Sequence, residues 1–83
     1  MKPIEMISFS NCDGDIRPLR FKWMEGQDEP LIIKVDHVIT VSEEKAAGTR
    51  MLNFSVQSFY DGEDHRFELR YESKSMMWYV SRM

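Results

Sequence analysis

The chain has 83 residues, a net charge of −3 and a pI near 5.3. That is room for one domain with one core, and the acidic balance argues against a dedicated polyanion binder. A single cysteine, Cys12, excludes an intrachain disulfide, and a reduced, cytoplasmic setting is the simplest expectation. No apolar run approaches the ~20 residues needed to span a bilayer, and the first residues carry no run of signal-peptide length, so no membrane association is expected.

In chain order, Ile4 to Phe9 is apolar-rich but alternates imperfectly, and it reads as an extra edge strand or an ordered arm over residues 1–12. Asn11-Cys12-Asp13-Gly14-Asp15 reads as a turn. Arg17 to Glu25 alternates with period two and places Leu19, Phe21 and Trp23 on one face, the pattern of a half-buried antiparallel strand. Pro18 cannot donate to a ladder, which puts that end at an edge or outside the sheet. Gly26 to Pro30 is a connecting turn. Leu31 to Val41 is a second strand with Leu31, Ile33 and Val35 inward, and its period falters at Asp36-His37, where a bend or bulge is expected.

Ser42-Glu43-Glu44-Lys45-Ala46-Ala47-Gly48 is the one helical candidate, with Ser42 as N-cap, glutamates in the first turn and Gly48 as a left-handed stop. Arg50 to Tyr60 is the third strand, with Leu52, Phe54 and Val56 inward. Asp61 to Asp64 is a hairpin loop, and Arg66 to Glu72 returns with Phe67, Leu69 and Tyr71 inward. Ser73-Lys74-Ser75 is a turn. Met76 to Met83 closes the chain as a fifth strand, where Trp78 and Val80 compete with Met77 and Tyr79 for the inner face. Short loops between successive strands predict a single all-β domain over 1–83. Its meander of five antiparallel strands, over 16–83, curls into a small barrel or a strongly bent sheet.

The segments Arg17-Pro18-Leu19-Arg20-Phe21-Lys22-Trp23, Ile33-Lys34-Val35-Asp36-His37-Val38-Ile39, Ala47-Gly48, Phe67-Glu68-Leu69-Arg70-Tyr71-Glu72 and Trp78-Tyr79 carry a resemblance. Over about residues 16–83 the chain resembles a family of short uncharacterised bacterial proteins. It is also faintly similar to small strand-rich domains encoded near lesion-bypass polymerases. Neither likeness implies a catalytic residue.

Motifs for chemistry are weak. Setting Gly14 at the sixth position of a calcium loop places Phe9 first and Arg20 twelfth, both wrong ligands. Asp61, Glu63, Asp64, His65 and Glu68 read as a solvated hairpin tip rather than a metal site, because zinc sites want several Cys or His. Cys12 sits among acids that disfavour a thiolate, which argues against a nucleophile paired with His37 or His65. No catalytic residue, metal or cofactor is expected.

Two surface features carry more weight. Ile32, Met51, Phe59, Met77 and Tyr79 are large apolar side chains at outward parity, and together they predict a contact surface for an unknown protein partner or a homodimer. Arg20, Lys22, Lys34, Arg66 and Arg70 alternate outward on predicted strands, and they either form a basic face or pair with Glu68, Glu72 and Asp36. The leading expectation is a non-enzymatic interaction module. The alternative is a nucleic-acid-associated accessory protein using those five cations.

Overall fold

The computed structural model describes residues 1–24, 26 and 28–82. The strand end expected at Glu25, the turn residue Gln27 and the terminal Met83 lie outside the described residues. The fold is all-β, with eight strands: β1 (Lys2–Ile4), β2 (Met6–Ser10), β3 (Ile16–Trp23), β4 (Leu31–Lys34), β5 (His37–Ala46), β6 (Thr49–Tyr60), β7 (Glu63–Glu72) and β8 (Met77–Arg82). They form two antiparallel sheets. One has five strands in the order β1-β8-β7-β6-β5, and the other has three in the order β2-β3-β4.

This corrects the expected five-stranded meander and its barrel. β5 to β8 form a four-strand meander, but the strands around Phe21 and Ile33 belong to the second sheet, and neither sheet closes on itself. The cause lies at Val35-Asp36. There the expected long strand divides into β4 and β5, and the chain crosses from one sheet to the other. Val35 still donates its N–H to Leu19 O of β3, at 2.8 Å. Asp36 already belongs to the five-stranded sheet, donating to Gln57 O at 3.0 Å and accepting from Phe59 N–H through Oδ2 at 2.7 Å. The N-terminal segment divides in the same way. β1 pairs with β8 and β2 with β3, so one short stretch of chain is bonded to both sheets.

The second correction concerns residues 42–48. No helix occurs among the described residues, and Ser42 to Ala46 continue β5. Ala47 (φ 51°) and Gly48 (φ 79°) form a two-residue hairpin between the paired Ala46 and Thr49. Positive φ at both central positions matches the right-handed twist of the flanking strands. Such turns usually announce themselves as Asn-Gly or Asp-Gly. Alanine in that conformation costs roughly 1–2 kcal/mol, which hid the hairpin behind a helix-like composition. The Asp61-Gly62 turn (φ 53° and 78°) has the same form with the usual residues, and the hairpin loop expected at that point is present between Tyr60 and Glu63.

The two sheets pack face to face. Phe21, Trp23 and Ile33 come from the small sheet, and Phe54, Val56, Phe67, Leu69, Trp78 and Val80 from the large one; all are buried. Phe21 meets Phe67 edge-on, with centroids 5.7 Å apart and planes at 88°. Phe54 and Tyr71 flank Trp78 at 5.3 and 4.9 Å. Leu52, Val35 and Tyr71 pack at the margin of this core. In β8, Trp78 and Val80 take the inner face, and Met77 is left outside.

Two residues expected in the core are not in it. Leu19 is 36% exposed and Leu31 is 40% exposed. Leu19 is the extra residue of a bulge: Ile7 pairs with Arg20 and Ser8 with Pro18, so Leu19 has no partner on β2 and Pro18 takes the buried position instead. Leu31 keeps the expected parity, opposite Trp23, but it lies at the end of an edge strand with nothing beyond it to cover it. A second bulge, at Ile39, lies just past the expected irregularity at Asp36-His37.

Candidate interaction surface

Alternation around the buried Phe21, Trp23 and Ile33 turns Arg20, Lys22, Ile32 and Lys34 to the outer face of the three-stranded sheet. Strand register then builds two rows. Ile7, Arg20 and Lys34 lie side by side across β2, β3 and β4, and Lys22 lies beside Ile32. Ile7 and Ile32 are each about half exposed, at 51% and 53%. Glu5 joins the second row, with its carboxylate 3.2 Å from Lys22 Nζ. A depression of about 270 Å³ lies among Glu5, Ile7, Arg20, Lys22 and Ile32.

Arg20 and Lys34 are like charges in register across adjacent strands, and neither has an ion-pair partner among the described residues. Such a pair is unfavourable by a few tenths of a kcal/mol, softened here by solvent. The fold therefore concentrates uncompensated positive charge beside two exposed isoleucines on a protein of net charge −3.

The other two cations stand elsewhere. Arg66 and Arg70 lie on the outer face of the five-stranded sheet, opposite Gln57 and Asn53. Arg70 donates to Asn53 Oδ1 at 2.9 Å and approaches Glu44 at 3.8 Å. Among the described residues, the acids paired with basic residues are thus Glu5, Glu43 and Glu44 rather than the expected Glu68, Glu72 and Asp36. Asp36 instead caps Phe59 N–H. The five cations of the sequence reading occupy two faces turned away from each other, three on one and two on the other.

The apolar set divides as well. Met51, Glu72 and Met77 form one row across β6, β7 and β8, and Tyr79 sits in the next row beside Arg70. Tyr79 Oη lies 3.7 Å from Met77 Sδ. Phe59, 62% exposed, shares that face but is eight residues along β6 from Met51, about 26 Å at ~3.3 Å per residue. Ile32 belongs to the other sheet. No single patch unites the five. Ile7 and Glu5 escaped the sequence reading, because only the β2–β3 register places them beside Arg20 and Lys22.

A small polar cluster lies on the inner side at the far end of the β6–β7 hairpin. Ser58 and His65 face each other across the strands, and neither Ser58 Oγ nor His65 Nε2 has a hydrogen-bond partner among the described residues. Ser58 is fully buried. The Tyr60 ring stacks on His65 at 3.8 Å and 13°, and Phe67 continues the near-parallel set. Hydroxyl and imidazole are not bonded to each other, and the aromatic stack packs against them. Burial pushes the Tyr60 phenol above its ordinary value of 10.0, and the charges of Asp61 and Glu63 push the same way. The unfolded chain therefore ionises first. Tyr60 contributes its full stability below about pH 10, and that contribution drains as pH rises through 10 and then through the raised folded value. Thermal midpoints followed from about pH 8 to about pH 11 should fall more steeply for the wild type than for Tyr60→Phe; parallel curves would refute this.

Cys12 is exposed in its turn, and no group of three or more His, Cys, Asp or Glu among the described residues is arranged to hold a metal ion. No helix among them is long and apolar enough to cross a membrane. No family model matches the chain, and no curated protein or solved structure matches it significantly.

Proposed function

We propose that the protein is a non-enzymatic interaction module that takes a protein partner on the outer face of its three-stranded sheet. The observation that carries this is the in-register, unneutralised pair Arg20 and Lys34, flanked by the exposed Ile7 on β2 and the exposed Ile32 further along β4. A fold gains nothing from like charges held side by side; a partner that brings carboxylates to the cations and apolar side chains to the isoleucines removes the repulsion and covers the apolar area together. An extended segment alternating acidic and apolar residues has the matching period. The site thus draws on Ile32 of the expected apolar set and on Arg20, Lys22 and Lys34 of the expected basic set.

The test is a fluorescence-anisotropy titration with a labelled peptide of alternating Glu and Leu. Binding should weaken with salt and fall about tenfold or more in the double variant Arg20→Glu/Lys34→Glu. A peptide with Lys in place of Glu should not bind the wild type. If the double variant binds the acidic peptide as well as the wild type does, the face is not the site. The alternative reading, an accessory protein on nucleic acid using Arg20, Lys22, Lys34, Arg66 and Arg70, keeps only the first three on this face, since Arg66 and Arg70 lie on the other sheet. A single-stranded oligonucleotide that outcompetes the peptide would favour it.

A further inference from the structure

The complement of this face is present on the same chain. At the Asp61-Gly62 turn the twelve-residue β6 and the ten-residue β7 meet in a hairpin tip. Phe59 stands 62% exposed there, directly opposite Asp64, with Asp61 and Glu63 exposed beside it. None of the three acids is in an ion pair among the described residues; Asp64 accepts one hydrogen bond, from Gln57 Nε2 at 2.7 Å. On its outer side the tip is therefore Phe59 beside the Asp64 carboxylate, with Asp61 and Glu63 at the turn and Arg66 next along β7. The outer face of the small sheet holds a depression lined by Ile7, Ile32, the unpaired Arg20 and the Lys22–Glu5 pair, with the unpaired Lys34 beside Arg20. Phe59 lies on the outer side of the five-stranded sheet, so it points away from the basic face of its own molecule.

We infer that the occupant of the basic face is a second copy of this chain, which docks the Phe59 tip of its β6–β7 hairpin into the depression between Ile7, Arg20, Lys22 and Ile32. This rests on the reading that the face is a protein-binding surface. The contact joins two different patches, so it is heterologous: each copy that receives a tip still offers its own, and copies add head to tail rather than closing as a symmetric pair. One hairpin tip covers less area than a standard interface of ~800 Å² per partner, so the association is weak, fast and sensitive to salt.

Sedimentation equilibrium decides it. At low ionic strength the wild type should show a mass that rises with concentration, and at about 1 M salt, where the screening length is about 3 Å, it should be monomeric. Two charge-reversed variants, Arg20→Glu/Lys34→Glu and Glu63→Lys/Asp64→Lys, alter exposed residues only, and circular dichroism checks that each remains folded. Each should be monomeric at low salt. An equimolar mixture should associate again, because an acidic tip then meets a basic face and a basic tip meets an acidic face. Loss in both variants without recovery on mixing overturns the pairing of tip with face. A wild type that is monomeric at low salt overturns self-association, and the acidic-peptide titration separately reports whether the face binds at all.

Discussion

Phe67→Ala is expected to unfold most of the protein at room temperature. Phe67 is buried at the centre of β7, its edge contact with Phe21 is a direct link between the two sheets, and Tyr60 and His65 stack along its other side. Truncating a buried phenylalanine costs about 3–5 kcal/mol, and a domain of this size holds only ~5 kcal/mol or little more in reserve. Urea denaturation followed by tryptophan fluorescence would read it directly, since both tryptophans are buried in the same core. A midpoint within about 0.5 kcal/mol of the wild type would mean that the sheets are not held together at this contact.

Ile32 and Ile33 are neighbours in sequence, and their alanine variants should differ sharply. Ile33 is fully buried opposite Phe21, whereas Ile32 is half exposed opposite Lys22. Ile33→Ala removes buried methyl groups and leaves a cavity, at a cost of about 2–5 kcal/mol. Ile32→Ala removes surface that water already reaches, at a cost under about 0.5 kcal/mol, and its effect should appear in partner binding instead. Equal losses of stability would show that β4 pairs in the other register, because a slip by one residue exchanges the two faces.

Much of the core was legible in the chain because period-two alternation is a local property. Phe21, Trp23, Ile33, Phe54, Val56, Phe67 and Leu69 could be assigned to the inner face from their own strands alone. What failed needed a second strand to be seen. The bulge at Leu19 exists only relative to β2, and it turns Leu19 outward and Pro18 inward with no change in the run Arg17-Pro18-Leu19-Arg20 to announce it. The division at Val35-Asp36 depends on Asp36 being bonded to β6, a strand about twenty residues further on. The hairpin at Ala47-Gly48 was hidden because alanine is the strongest helix former and the poorest advertisement for a left-handed turn. For the candidate surface, parity identified which side chains point outward but not which sheet carries them. Arg20, Lys22 and Lys34 were therefore grouped with Arg66 and Arg70, and Ile7 was missed.

The division of the first strands between two sheets has a kinetic consequence. Every other pairing among the described strands joins strands that follow one another along the chain, whereas β1 must find β8, almost the whole chain away. Closing so large a loop is entropically slow until its ends are already held near one another. The β5–β8 meander and the β2–β3–β4 unit therefore assemble first, each from local hairpins, and β1 locks onto β8 last. Amide exchange should rank accordingly, with Lys2 and Ile4 opening far more often than the centre of β6, so that the edge strand made by the longest loop closure is also the first to let go.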